Sequence, residues 1–323
     1  MQRNIYAKLI VLLVMLVVLL PGCAMQGKQT AQEETQKSYL TIKDDGGRTV
    51  VLNKKPERVV VLSPSFLELF YAVDGKAVGR PSSKTADIPE SAQALPEVGY
   101  VYNINVEKVV SLQPDLVIAF QGSHEKLIPI LESSNIPVII LKMKSYDDLI
   151  AKIRLFGDIA GTAEKAQGLA QAIDTKLKAI TAKLPAQNTK VVILHATTKS
   201  VTVELENSVA GSIVNMLKLK NIAAGSKPLD NDTDATPYSL EKLVESDPDI
   251  IFVVTMGPAN EIEKSTLAEL ERNPAWSSLR AVREKKVIFL PSDLFLLNPG
   301  LRLPDAVAYM AKVVYPGIYS NGQ

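Results

Sequence analysis

Val106-Glu107-Lys108-Val109-Val110-Ser111-Leu112-Gln113-Pro114-Asp115 runs straight into Leu116-Val117-Ile118-Ala119-Phe120 and then Gln121-Gly122-Ser123-His124-Glu125. Helical spacing, a Pro-Asp joint, a short apolar run and a glycine loop read as helix, turn, buried strand and loop. The same order returns at Leu240-Glu241-Lys242-Leu243-Val244-Glu245-Ser246-Asp247-Pro248-Asp249, which leads into Ile250–Val254 and Met256-Gly257-Pro258-Ala259-Asn260-Glu261. Glu, Lys, the second Val, Pro and Asp coincide without a gap. A single occurrence would be a common αβ joint. Two, each ending in a glycine loop with a glutamate, predict paired lobes of one design.

Working outward, Tyr39-Leu-Thr-Ile-Lys, Asp44-Asp45-Gly46-Gly47 and Arg48-Thr-Val-Val-Leu spell a β-hairpin. Val59–Leu62, Val138–Leu141, Val191–Leu194, Val201–Leu205 and Val287–Leu290 are apolar runs suited to buried strands. Ser63-Pro64-Ser65 opens a helix over about 66–73, and strand, helix, strand in this order means parallel βα units. Ser145 with Asp148 three residues on predicts a capped helix to Ala160, stopped by Gly161, and Thr162 is placed to cap the next. Residues 163–183 are rich in strong helix formers and would make a rod of about 32 Å at 1.5 Å per residue. A closing helix is expected over 305–314. The predicted fold is α/β, with two Rossmann-like αβ lobes joined by a single long helix. The divisions are 39–144 for the N-terminal lobe, 145–185 for the linker helices and 186–323 for the C-terminal lobe. Ligands of such sheets sit outside the carboxyl ends of the strands, so the loops after Leu62, Phe120, Leu194 and Val254 should line a cleft between the lobes.

The N-terminus adds an address. Arg3 and Lys8 precede an unbroken apolar run, Leu9 to Leu20, that meets Pro21-Gly22-Cys23. As a helix this run rises about 18 Å, short of the ~30 Å hydrocarbon core, which fits a signal peptide over 1–22 better than an uncleaved anchor. Leu20-Pro21-Gly22-Cys23 resembles the bacterial lipobox, whose cysteine becomes the acylated first residue. Cys23 is the only cysteine, which excludes an internal disulfide and a thiol nucleophile elsewhere. Residues 23–38 are polar and suit a flexible tether. The protein is expected to be exported and lipid-anchored on the extracytoplasmic face of a membrane. The chain has 36 Lys+Arg and 35 Asp+Glu, and removal of residues 1–22 leaves 34 against 35. Such a balance offers no footprint for nucleic acid.

Pro56-Glu57-Arg58-Val59-Val60-Val61-Leu62-Ser63-Pro64-Ser65 resembles the first strand of the helical-backbone (class III) substrate-binding proteins of ABC importers, which carry ferric siderophores, haem and cobalamin. Val98-Gly99, Asn105-Val106-Glu107-Lys108, Pro114–Ala119, Trp276, Ala281-Val282 and Val287-Ile288-Phe289 extend the likeness over the chain from residue 39. The resemblance implies a monomer that binds ligand between its lobes with little closure and delivers it to a permease dimer with its ATPase. It implies that Glu125 and Glu261, one per lobe, pair with arginines of the permease.

Two histidines, His124 and His195, stand in no metal-ligand spacing, so a bare metal-ion site is not expected. Haem needs only one or two axial ligands and an apolar slot. The candidates are Tyr102 with Met256 or His195 from the opposite lobe, with Tyr100 and Phe120 as walls and Arg80, Lys84 and Arg302 for the propionates. Haem is therefore the favoured ligand and a ferric siderophore the next, with the same basic residues facing an anionic chelate. Cobalamin is the alternative within the family, and it calls for larger aromatic walls. An exported hydrolase is the rival class. No Gly-x-Ser-x-Gly elbow, P-loop or Gly-x-Gly-x-x-Gly fingerprint occurs, so neither an enzyme nor a catalytic cofactor is expected. A surface sensor that keeps the fold without transport is the third class.

Overall fold

Parallel strands separated by helices have to lie in a sheet covered on both faces, and this requirement shapes both halves of the molecule. The structure is a computed structural model that describes residues 38–83, 88–186, 188–230 and 232–319. The expected signal peptide, Cys23 and nearly all of the tether lie outside the described residues, as does Lys84.

The hairpin forms as read, with β1 (Leu40–Lys43) antiparallel to β2 (Thr49–Leu52). The first six-stranded sheet contains β3 (Val59–Val61), β4 (Ala77–Ser82), β5 (Glu97–Tyr100), β6 (Asn103–Ile104), β7 (Leu116–Phe120) and β8 (Val138–Leu141), in the order β6-β5-β4-β3-β7-β8. All of its pairs are parallel except β5 with β6. β4 escaped the sequence reading because Gly79 and Pro81 interrupt its apolar face. The second sheet contains β9 (Lys190–Ala196), β10 (Val201–Glu204), β11 (Lys220–Asn221), β12 (Ala235–Pro237), β13 (Ile250–Thr255) and β14 (Val287–Phe289). Its order is β12-β10-β9-β13-β14, with β11 alongside the start of β9. β10 runs antiparallel to β9, because the four residues between them are too few for a crossover.

The repeated Pro-Asp joints have a common physical purpose. The Asp115 carboxylate accepts the backbone N–H groups of Glu57 (2.9 Å) and Arg58 (2.8 Å) at the entry to β3. Asp249 accepts the N–H of Lys190 (2.8 Å) at the entry to β9. In each lobe the aspartate that opens one strand anchors the start of its parallel neighbour. The helices before them, Val106–Ser111 and Leu240–Ser246, are capped by Asn105 and Ser239. The glycines beyond the strands, Gly122 and Gly257, both have positive φ (+91° and +127°).

Between the sheets the chain forms two helices. Tyr146–Ala160 begins in a capping box made by Ser145 and Asp148 and ends at Gly161 in the left-handed region. Thr162 does not cap the following helix, Ala163–Thr181; its hydroxyl donates to the Val73 carbonyl and ties that helix to the first lobe.

One apolar mass joins these parts. It takes Val59, Val61, Leu116 and Ile118 from the first sheet and Val191, Ile193, Phe252 and Val254 from the second. Ile153 and Phe156, Ile173 and Leu177, and Val307 and Met310 of the helix Leu303–Val314 complete it. Phe156 meets Phe66 and Phe70 edge-on, both at 5.8 Å. The outer faces of the sheets carry separate cores, around Val60 and Val117 in the first and around Val192 and Trp276 in the second.

Because the central core spans both sheets, unfolding followed by Trp276 fluorescence and by far-ultraviolet circular dichroism should give one coincident transition. Phe156→Ala should lower stability by about 3–5 kcal/mol in both signals, read from the denaturation midpoint. Two separated transitions would show that the halves fold independently.

Candidate functional site

The carboxyl ends of β3 and β14 bring the two halves together. After β3, Ser63 leads into the helix Pro64–Ala72, with proline in its first turn. After β14, the chain passes through the helix Ser292–Phe295 and a 3-10 turn at Gly300–Arg302. Pro64, Ser65 and Glu68 on one side and Leu297, Asn298 and Arg302 on the other enclose a cavity of about 280 Å³. The Ser65 hydroxyl makes a long contact, 3.5 Å, with the Asn298 carbonyl. A Cβ added at Gly300 would stand 3.0 Å from Glu68 Oε2, so the two halves approach closely there.

Asn298 Oδ1 accepts the N–H of Gly300 at 2.8 Å, which fixes the amide and leaves Nδ2 buried without a partner. Arg302 is oriented by Asp293 and stays partly exposed beside it. Arg302 is thus already engaged by a carboxylate, with Glu68 and Asp305 also close enough for their charges to act on it. The sequence reading missed Ser65 and Asn298, although the Asn298-Pro299-Gly300 turn was a legible signal.

The other expected ligand contacts are spread along the carboxyl edges. Tyr100 ends β5 and Tyr102 lies in the next turn. That turn depends on Gly99, whose φ is +114° and whose Cβ would fall 2.4 Å from the Asn103 carbonyl. Met256 directly follows β13. Phe120 is half-buried and its ring lies 5.7 Å from that of Phe66, edge-on. Arg80 pairs with Glu97 at 2.9 Å and donates to the Gln93 and Pro81 carbonyls, so its guanidinium braces the first lobe. Of the expected contacts among the described residues, only Arg302 lines the cavity described above. No cluster of three His, Cys, Asp or Glu side chains suited to a metal ion occurs among the described residues.

The two histidines have opposite surroundings. His124 is buried; its Nδ1 accepts the Phe120 N–H (2.9 Å) and its Nε2 lies 2.7 Å from the Val101 carbonyl. These partners assign the neutral tautomer with the proton on Nε2. Burial holds its pKa below the usual histidine value. One imidazole thus ties the turn carrying Tyr100 and Tyr102 to the loop carrying Glu125, whose carboxylate accepts the Gly122 N–H. Glu261, the matching residue, is exposed in the first turn of the helix Ala259–Arg272. His195 stands at the end of β9 with Nδ1 3.0 Å from Glu204 Oε1. That hydrogen bond raises its pKa against the effect of burial.

His124→Ala should leave the Phe120 N–H and the Val101 carbonyl without their partner and cost about 2–4 kcal/mol. Amide exchange should accelerate across 99–105 and 120–125 while the second sheet keeps its protection. Uniform acceleration over both sheets would contradict a local tie.

A model of the periplasmic binding protein family matches residues 59–294. Among curated relatives, the uncharacterized ABC transporter substrate-binding lipoprotein YvrC of Bacillus subtilis is 28% identical over 96% of this chain and 97% of its own. The Fe(3+)-citrate-binding protein YfmC of the same organism is 27% identical over 99% of this chain and all of its own. The solved haem complex of Staphylococcus aureus IsdE has the same fold, with a TM-score of 0.70, 22% identity, and coverage of 80% of this chain and 98% of that one. The matched parallel sheets, the cleft at their carboxyl edges and these full-length likenesses agree: the chain belongs to the periplasmic binding protein family, in the helical-backbone class of substrate-binding proteins that serve ABC importers.

Proposed function

We propose that this protein captures an iron complex, haem in preference to a ferric siderophore, and delivers it to an ABC permease. The observation that carries the reading is the set of large side chains left exposed at the carboxyl edges of both sheets. Tyr102 is 74% exposed, Met256 54%, Leu297 50% and Tyr100 47%. Large apolar groups left exposed at the carboxyl ends of parallel strands, where ligands of such sheets sit, support a surface that a ligand covers. Leu297 shares its cavity with Arg302, whose guanidinium is partly exposed. A flat apolar chelate with carboxylates at one edge uses both features, which is the chemistry of haem. Tyr102, Met256 and His195 are the groups suited to its iron.

A ferric hydroxycarboxylate is the second reading. It is favoured by the small size of the cavity at Asn298 and Arg302, about 280 Å³, and the relative YfmC is named for ferric citrate. In either case the protein is a non-enzymatic carrier. In this reading it is exported by residues 1–22, acylated at Cys23, and held by the polar tether at the extracytoplasmic face of the membrane, where a permease can be met. Glu125 and Glu261 are the docking pair, each projecting from the loop or helix that follows a repeated strand. Exposed ion pairs contribute about 0–1 kcal/mol each, so the glutamates orient docking more than they tighten it.

The test titrates the full chain, solubilised in detergent, with haemin and with ferric citrate, following the visible spectrum and Trp276 fluorescence. The expected result is a saturable, shifted Soret band at one equivalent, with affinity lowered about tenfold by Arg302→Ala, the loss of about 1.4 kcal/mol. Absence of that band with saturable binding of ferric citrate would replace haem by the second reading. Glu125→Ala with Glu261→Ala should abolish uptake in cells and leave affinity unchanged. Persistent uptake would refute the docking assignment.

A further inference from the structure

Glu204 is a buried carboxylate at the end of β10. It lies on β10, two residues beyond Thr202, which pairs in register with His195 on β9. The side chains of His195, Thr202 and Glu204 therefore share one face of the sheet. The same face carries Val191, Ile193 and Val254 of the central apolar core. Glu204 Oε1 meets His195 Nδ1 at 3.0 Å, and Oε2 is buried without a partner. Replacing such a pair by apolar side chains is usually neutral or stabilising, so its presence points away from a role in stability. To donate to the carboxylate, Nδ1 must carry the ring proton. That leaves the lone pair of Nε2 free for an electrophile in the neutral ring.

The place suits a ligand. His195 is the penultimate residue of β9, at the carboxyl edge, and its side chain is partly exposed. Asp232 lies near enough for its charge to act on the ring. Two residues on, Asp234 forms an ion pair with Lys144, just beyond β8 of the first sheet. Ser212 of the second half donates to the Lys144 carbonyl at 3.2 Å. His195 thus sits on the side of the second sheet that faces the first.

We propose that His195 Nε2 is the iron ligand contributed by the second lobe, and that Glu204 is its positioning residue. This rests on the haem reading above. A carboxylate on Nδ1–H fixes the tautomer, holds the ring plane and strengthens donation from Nε2 to the metal. Stronger donation favours the ferric state of a bound haem. Glu204→Gln keeps the shape of the side chain, replaces an anionic acceptor with a neutral one and weakens that effect.

The experiment loads the full chain in detergent with haemin and compares wild type, His195→Ala and Glu204→Gln by visible spectrum, electron paramagnetic resonance and haem reduction potential. Melting of the unloaded variants verifies folding, and Glu204→Asp serves if Glu204→Gln does not fold. The expected results are a changed ferric spectrum in His195→Ala that added imidazole restores, and a raised potential in Glu204→Gln with ligation retained. Wild-type and His195→Ala spectra that coincide would overturn the inference and leave the haem reading standing. Altered melting of Glu204→Gln at an unchanged potential would also overturn it, by making the pair structural. Failure of the wild type to bind haemin would overturn the haem reading and this inference together.

Discussion

The structure depends on the apolar mass held between the inner faces of its two sheets. Each sheet is parallel over most of its width and needs cover on both faces. On the outer faces each sheet builds its own core, but on the inner faces Val59 and Val61 share one with Ile193 and Val254. The helices between the sheets are the medium of that sharing, with Phe156 locked edge-on against Phe66 and Phe70 of the first lobe. Swinging one sheet away from the other would expose this layer. At about 25 cal/mol per Å², baring even some 400 Å² would cost about 10 kcal/mol, more than ligand binding comfortably supplies. The shared core therefore predicts what the family resemblance implies, a cleft that forms with the fold and closes little on its ligand.

That arrangement explains where chemistry can reside. Parallel strands send all their carboxyl ends to one edge, and the loops that leave this edge are free to differ. Here they carry Asn298, the guanidinium of Arg302 and the turn of Tyr100 and Tyr102, while His195 stands within β9, one residue short of its carboxyl end. The opposite, structural duty falls to the strand entries, where Asp115 and Asp249 repeat the same bonding in both halves. His124 links the turn of Tyr100 and Tyr102, through Nε2, to the end of β7 and the loop that carries Glu125, through Nδ1.

Much of this fold was legible because it follows from local rules. The strands at Leu116–Phe120 and Val138–Leu141 and the capping box at Ser145 come directly from apolar runs and capping chemistry. The doubled helix-Pro-Asp-strand segment predicted paired lobes, and the matching Asp115 and Asp249 bonds supply its physical reason. What escaped was set by tertiary neighbours. β4 hides behind Gly79 and Pro81, and β10 turns antiparallel for want of connecting length. The candidate site was legible only in part. Residue type pointed to Tyr102, Met256, His195 and Arg302, but no pattern indicated that Arg80 would pair with Glu97 or that Glu204 would lie buried against His195. Such partners come from different strands and turns, and a linear spacing does not encode them.

The central claim, a cleft fixed by a shared core, can be tested by measuring the distance between the halves. Spin labels at Ile130→Cys and Val244→Cys, both exposed positions, would span the two sheets in a chain whose Cys23 is replaced by Ser. Pulsed electron paramagnetic resonance would then compare the unloaded protein with the protein saturated by gallium(III) protoporphyrin or gallium(III) citrate, diamagnetic stand-ins for the two ferric ligands. The account predicts that the distance distribution moves by less than about 2 Å, as in pre-organised complexes. A shift of many ångströms on saturation would show the lobes closing on their ligand and would contradict it.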